Sequence, residues 1–100
     1  MAATNTTVTI TNAYTQLNSA AASGGVSVFP INCPIWLNVS ASTTAPTSDA
    51  GAILVGPSDQ GNGIVNQTLA AMWPGFTSPA YLFARTTSPG TGGAVAVSCA

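Results

Sequence analysis

The sequence predicts an all-β protein, a compact β-sandwich or jelly-roll-like barrel of short antiparallel strands. Apolar and polar residues alternate with a period of two in several short segments, as they do in strands with one buried face. Clusters of Gly, Pro, Ser, Asn and Asp separate these segments and are typical of turns. One hundred residues, 46% of them apolar, are enough for one core, so we expect a single domain over residues 1–100.

Two segments near the chain termini show the alternation clearly. Residues 7–11 place Val8 and Ile10 on one face and threonines on the other, which predicts a half-buried strand. Residues 94–99 follow the same pattern at the C-terminal end. The N-terminal residues 1–25 are expected to form either an arm that reaches a neighbour or an edge strand.

Two further strands are predicted in the interior of the chain. Residues 35–40 direct three aliphatic side chains to one face and Trp36 to the other. Residues 81–85 are apolar on both faces until Arg85, which indicates a central strand. Residues 66–73 are the only helix candidate, a turn or two that ends before Pro74.

Charge is nearly absent from the sequence. Asp49, Asp59 and Arg85 are the only charged side chains, and there is no Lys, Glu or His. The usual general bases for a Ser or Cys nucleophile are therefore missing, and both aspartates lie in Gly/Pro/Ser turns, where Asp bonds its own backbone. We expect no enzyme and no catalytic residue, and we expect Arg85 to pair with Asp49, Asp59 or a neighbouring chain.

Metal, cofactor, nucleic-acid and membrane functions are also disfavoured. Residues 58–63 lack the spaced carboxylates of a calcium loop, and two cysteines without histidine cannot complete a zinc site. One arginine cannot form the basic groove that binds phosphates. No apolar run approaches the length of about 18 residues that spans a membrane, and the N-terminus lacks the pattern of a signal peptide.

The cysteines Cys33 and Cys99 leave two alternatives of equal standing. A disulfide between them would close a long loop and add roughly 4 kcal/mol of stability. Otherwise both are free buried thiols, and bridging between chains is a third, smaller possibility. Each cysteine flanks or ends a predicted strand.

Aromatic residues provide the interface candidates. Core packing is the default for Trp36 and Trp73, with interface anchor or carbohydrate platform as the alternatives. The loop of residues 73–76, which holds Trp73 and Phe76, is the better interface candidate. Arg85 completes this set, and Val8 and Ile10 join it because the Thr-rich segment 6–12 offers an edge for strand addition.

Three motifs carry a resemblance to a known class of protein. They are a strand at residues 34–37 followed by a Thr/Ser/Ala turn, the element Gly-x-x-Leu-x-Gly-Pro at residues 51–57, and a closing hairpin of residues 81–88 and 95–98. With these motifs, residues 34–98 resemble small virion structural proteins of tailed bacteriophages. The resemblance implies a decoration or cement protein with a compact β-sandwich fold that binds the outside of a phage capsid.

The expected partners follow from that resemblance. They are the major capsid protein or another virion protein, together with further copies of the chain in a trimer or dimer, and the expected location is the virion after synthesis in the host cytoplasm. A tail-fibre or baseplate module that binds host glycan through Trp36 or Trp73 is the alternative. A secreted adhesive subunit would share the composition but requires a signal peptide.

Overall fold

The computed structural model describes residues 4–88, 90 and 92–99, and for Thr4 and Asn5 it describes the backbone alone. Eight strands in two antiparallel sheets account for nearly all the regular structure of these residues. The prediction of an all-β sandwich is therefore confirmed. The strands are β1 (Thr4–Ile10), β2 (Thr15–Gln16), β3 (Val26–Ile31), β4 (Ile35–Ser40), β5 (Ile53–Val55), β6 (Ile64–Gln67), β7 (Tyr81–Thr86) and β8 (Gly93–Cys99).

The two sheets have a jelly-roll topology. The front sheet has the strand order β1-β8-β3-β6, and the back sheet has the order β2-β7-β4-β5. The first strand therefore pairs with the last, the second with the seventh, the third with the sixth and the fourth with the fifth. A chain paired in this way is one long antiparallel hairpin wrapped into two sheets, which is the jelly-roll arrangement.

The core lies between the sheets and follows the period-two alternation of the strands. Each fully buried aliphatic side chain contributes about 1.5–3 kcal/mol relative to exposure. Strand β7 is apolar on both faces, as predicted, because Phe83 is buried on the outer face of the back sheet, away from this core. The inward side chains are Ile10, Val26, Val28, Val95 and Val97 from the front sheet and Ile35, Leu37, Val39, Leu82 and Ala84 from the back sheet.

The helix prediction is correct in place but too long at its N-terminal end. Helix α1 is a single turn, Leu69–Met72, and the Thr68 Oγ1 caps it by accepting a hydrogen bond of 3.2 Å from the Ala71 N–H. The two residues before Thr68 belong to β6 instead. Strand pairing with β3 takes precedence there over local helix propensity.

Three loops meet at one end of the sandwich, which we call its loop end. They connect β2 to β3 (residues 17–25), β4 to β5 (residues 41–52) and β6 to β7 (residues 68–80). Buried Asn18 joins the first and third of these loops, since its Oδ1 accepts from the Leu82 N–H at 2.8 Å and its Nδ2 donates to the Ala80 carbonyl at 3.1 Å. No helix in the described part of the chain is long and apolar enough to cross a membrane.

Candidate functional site

A cavity of about 720 Å³ opens between two of these loops. One wall is formed by residues 42–51 of the β4–β5 loop, which we call the apex loop (residues 41–52), and the other wall by residues 72–76. We call this space the loop cavity. Its volume is in the range of protein pockets that enclose a small molecule or a few side chains.

Trp73 joins the two walls of the loop cavity. The residue ends α1, where its N–H donates to the Leu69 carbonyl at 2.9 Å, and its indole Nε1 donates to the Gly51 carbonyl at 2.8 Å. The side chain is 7% exposed and belongs to the core. The default expectation of core packing therefore describes Trp73, and its indole N–H is already bonded within the chain.

Phe76 is the aromatic residue of this loop that faces solvent. Residues 73–76 form a turn in which the Phe76 N–H donates to the Trp73 carbonyl at 3.1 Å. Pro74 occupies the second position of this turn, where proline is favoured. The turn leaves the Phe76 side chain 41% exposed at the rim of the loop cavity. An exposed aromatic ring beside a recess has the form of an interface anchor.

The lining of the loop cavity contains no charged side chain. Its lining residues include the apolar Val39 and Met72 and the hydroxyl-bearing Ser42, Thr44 and Thr47. A charged ligand would lose its hydration there without gaining a counterion, which is costly. The loop cavity therefore favours an uncharged, largely apolar occupant.

A cluster of three side chains fixes the apex loop to the back sheet. Arg85 on β7 forms a two-pronged ion pair with Asp49 of the apex loop, in which Nε donates to Oδ1 at 2.9 Å and Nη2 donates to Oδ2. The Tyr14 hydroxyl donates to the same Oδ1 at 2.5 Å, and the guanidinium lies 5.7 Å from the centre of the Tyr14 ring. We call Tyr14, Asp49 and Arg85 the clasp.

The clasp perturbs the ionisation of its members. Hydrogen bonds from Arg85 and then from Tyr14 hold the pKa of Asp49 below its usual range. Burial, followed by the hydrogen bond to the Asp49 carboxylate, raises the pKa of Tyr14 to about 12. The expectation that Arg85 pairs with Asp49, Asp59 or a neighbour is thus answered, because Asp49 is its partner.

The apex loop lies across the outer face of the back sheet. Buried Asn38 on β4 donates from Nδ2 to the Ser48 carbonyl at 3.2 Å, and the clasp holds the next loop residue to β7. Phe83 is the register partner of Asn38, and it is 2% exposed although its side chain points away from the core. The two tethers hold the apex loop over the part of this face near Phe83, while Leu54 on β5 of the same face is 58% exposed.

The remaining interface candidates lie elsewhere in the fold. Trp36 is half-buried on the outer face of the back sheet, opposite Arg85 on one neighbouring strand and Leu54 on the other. Val8 is half-buried on the edge strand β1. Ile10 is 0% exposed, so its assignment to an interface is wrong, because the alternation of β1 directs it into the core.

The cysteine alternatives are resolved by the position of β8. The Cys33 sulfur packs against Gly93 at the start of β8, where a larger residue would collide with it. Cys99 ends the same strand six residues later, about 20 Å away at about 3.3 Å per residue. Both cysteines are buried free thiols, so the disulfide alternative is wrong, and burial raises the pKa of the Cys99 thiol.

Two participants of the site had no clear signal in the sequence. Tyr14 enters the clasp from a loop with no recognisable motif, and the apex loop forms a cavity wall although its composition indicates only a turn-rich connection. Asp49 was interpreted as a turn residue, and it has that role too, since its carbonyl accepts from the Ala52 N–H at 2.9 Å.

The fold and site define a small antiparallel jelly-roll domain with a charge-free recess at its loop end. Comparisons with protein-family models, curated proteins and solved structures found no significant match to the chain.

Proposed function

We propose that this chain is a structural virion protein that binds the outside of a phage capsid and stabilises it as a decoration or cement protein. The observation that carries the proposal is the loop cavity, a charge-free recess of about 720 Å³ with Phe76 exposed at its rim. The partner is the major capsid protein or another virion protein. The contact uses an uncharged segment of that partner.

The distribution of charge supports an uncharged contact. The single arginine, Arg85, forms an ion pair with Asp49 on the outer face of the back sheet. Asp59 lies in the separate turn Ser58–Gln60. Neither charged site is among the residues that line the loop cavity. Binding through this recess therefore depends on apolar burial and backbone hydrogen bonds and not on steering by charge.

The fold is compatible with this role and the sequence resemblance supports it, although residues 81–88 and 95–98, expected to form a closing hairpin, belong to strands of different sheets. Jelly rolls occur in viral capsid proteins, although the same architecture also serves lectins and enzymes, so the fold alone does not assign a function. The resemblance of residues 34–98 to phage structural proteins includes the element at residues 51–57, whose first residue accepts the Trp73 hydrogen bond at the loop cavity.

The test is a capsid-binding assay with a Phe76→Ser variant and a Leu54→Ser control. Leu54 is also an exposed apolar residue, at 58%, but it lies on β5 away from the loop cavity. An anchor residue contributes about 2 kcal/mol or more, so Phe76→Ser should weaken binding to purified phage heads about 30-fold. Leu54→Ser should bind like the parent protein, and both variants should keep the parent melting temperature.

Equal binding by the parent and Phe76→Ser, or no binding of the parent to heads, would overturn the proposal. Sedimentation of heads with fluorescently labelled protein gives the occupancy directly. Thermal melting of the free variants shows that any loss of occupancy does not come from unfolding.

A glycan-binding module of a tail fibre or baseplate is the second candidate. The observation that favours it is the combination of an exposed Phe76 ring with several hydroxyl groups in a pocket of ligand size. Trp73 is a poor platform because it is buried and its indole N–H is bonded to Gly51. Binding to a glycan array that Phe76→Ser abolishes, together with indifference to heads, would replace the capsid proposal with this one.

A further inference from the structure

We propose that two copies of this chain pair through β1, antiparallel and about a two-fold axis at Thr7, so that their front sheets join into one continuous sheet. This pairing would be the contact between copies in the homo-oligomer that is expected of a virion protein. Only that biological role rests on the proposed function. The pairing itself is tested in solution without capsids.

Strand β1 is the longest free edge of the described fold. It has seven residues and pairs on one side only, with β8, while the other edge strands β2, β5 and β6 have two, three and four residues. Edge strands of monomers usually carry a lysine, a proline or a bulge that blocks pairing. Strand β1 has neither lysine nor proline, and its register with β8 is unbroken.

The position of one carbonyl group fixes which residues of β1 bond to β8. The Val28 carbonyl faces the strand on the other side of β3, since it lies 3.3 Å from the point where a Cβ of Gly63 would be. Val28 therefore does not bond to its register partner Val97 on β8. Because backbone groups alternate sides along a strand, Val97 bonds to its other partner, Thr6 on β1.

The same alternation leaves the odd-numbered residues of β1 facing outward. Asn5, Thr7 and Thr9 direct their backbone N–H and C=O groups to the free edge, away from β8. The next residue in this series supports the assignment, because the Thr11 carbonyl points away from the front sheet and accepts the Thr86 N–H at 2.9 Å. The edge thus presents three donors and three acceptors.

This row of groups is complementary to itself. When a second β1 approaches antiparallel with Thr7 opposite Thr7, Asn5 of each copy lies opposite Thr9 of the other. Each of these three residue pairs exchanges two backbone hydrogen bonds, so about six bonds form and every outward group on Asn5, Thr7 and Thr9 is used. Other registers with the same parity shift the strands and leave some of these groups without a partner.

The surroundings of the edge admit a second strand on both faces. A hollow of about 500 Å³ lies on the outer face beside Thr7, Phe29 and Ala96, and a hollow of about 340 Å³ lies near Thr6 and Leu17. An added strand directs alternate side chains to opposite faces, so its side chains stand beside Thr7 on one face and beside Thr6 on the other. The side chains of a second β1 are small and uncharged, which suits hollows whose linings carry no charge.

The charged residues lie away from the β1 edge. Arg85 lies on the back sheet, Asp49 in the apex loop and Asp59 in the turn beyond β5, so no charged side chain is on β1 or on its neighbour β8. The pairing of two like copies therefore meets no like-charge repulsion at this edge. Val8, half-buried in one copy, becomes covered by the second.

The first experiment compares cross-linking of Thr7→Cys with that of Val65→Cys. Opposed residues of an antiparallel hydrogen-bonded pair have Cα atoms about 5.5 Å apart, which is within disulfide reach. Thr7→Cys should form a covalent dimer under mild oxidation, while Val65→Cys, on the opposite edge strand β6, should remain a monomer. The native thiols are buried and serve as the common background. Equal cross-linking of the two variants, or none in Thr7→Cys, would contradict the pairing.

The second experiment uses proline at two adjacent positions of β1. Thr7→Pro removes an N–H that points outward, so the fold should keep its melting temperature while self-association weakens at least tenfold in sedimentation equilibrium. Thr6→Pro removes an N–H that bonds to β8, so it should lower the melting temperature as well. A parent protein that stays monomeric at every attainable concentration, or a Thr7→Pro variant that associates like the parent, overturns the inference.

A third outcome assigns the edge to a different partner. If the parent is monomeric in solution and the β1 amides become protected from hydrogen exchange only on phage heads, the self-pairing is wrong and the edge binds a capsid segment. Loss of head binding in Phe76→Ser is measured independently of these results. The proposed function and the self-pairing can therefore fail separately.

Discussion

The two sheets have four strands each, but their outer faces differ. On the back sheet, the apex loop lies across the face, and Phe83 is 2% exposed. On the front sheet, the corresponding aromatic residue Phe29 is half-buried and its neighbour Ile31 is 38% exposed. The chain covers the region around Phe83 on one face with its own loop and leaves the region around Phe29 and Ile31 on the other face more exposed.

Polar side-chain contacts hold a loop in place on the back sheet. The clasp and the Asn38 hydrogen bond both hold the apex loop to the back sheet. The outer face of the front sheet presents the small side chains of Thr7 and Ala96 and the larger ring of Phe29 near the free edge of β1. A covered face contributes to stability, while an open one is available for partners.

The largest expected difference between the faces comes from their aromatic residues. Phe83→Ala removes a fully buried ring and should cost about 3–5 kcal/mol of unfolding free energy. Phe29→Ala removes a ring that is already half in water and should cost about 1 kcal/mol. Urea denaturation of the two variants measures the difference, and similar losses would show that the apex loop does not seal the back sheet.

A smaller effect is expected from the amide that holds the apex loop. Asn38→Ala removes the donor to Ser48 and should cost about 1–3 kcal/mol, because the group is buried and its partner loses its bond. Asn62 is the matched control, since its amide also bonds a loop carbonyl, that of Pro57, but the side chain is exposed. Asn62→Ala should change the unfolding free energy by less than about 0.5 kcal/mol. A reversed order would place the main anchor of the apex loop elsewhere.

The apolar patterns of the sequence predicted β1, β4, β7 and β8, but neither the other four strands nor the strand order. Val8 and Ile10, the aliphatic residues of β4 and those of β8 were assigned from a period of two, and the structure places them in strands with that alternation. Alternation carries no information about neighbours in space, so sandwich, jelly roll and barrel fitted equally well. The order depends on pairings such as β1 with β8, which join opposite ends of the chain.

The site was predictable only where a residue type was rare. Arg85 is the single arginine of the chain, so its need for a counterion limited the partners to two aspartates or another chain, and Asp49 was among them. Tyr14 and Asn38 are unremarkable in sequence, and their contacts join residues brought together by the fold. Ile10 was assigned to an interface because it lies on a Thr-rich edge strand, but inward alternation decided its burial.

The smallest expected effect is the difference in the pH dependence of stability between the parent and Tyr14→Phe. It tests how the clasp holds the apex loop. The pKa of Tyr14 is raised from about 10 in the unfolded chain to about 12 in the fold. Below pH 10 the phenol is protonated in both states, and its stabilising contribution is fully present. Between pH 10 and 12 the unfolded chain loses this proton while the fold retains it, so stability falls as the pH rises. Urea denaturation across this range should therefore show the parent losing stability relative to Tyr14→Phe, and parallel curves would contradict the raised pKa that burial and then the Asp49 hydrogen bond give Tyr14.

At acid pH, the clasp gives the opposite pH dependence, because stability falls as the pH falls. The pKa of Asp49 is lowered in the fold, so its contribution is present above the unfolded value of about 3.9 and is lost as the pH falls through the folded value. Asp49→Asn should remove this acid limb and lower the neutral-pH stability by the same amount, which is small because the pair is exposed and screened by salt. Asp59→Asn, which changes an aspartate outside the clasp, should keep the limb. If Asp49→Asn retained the acid limb, the ion pair would not be what holds the apex loop over Phe83, and the closed state of the back sheet would depend on Asn38 and Trp73 instead.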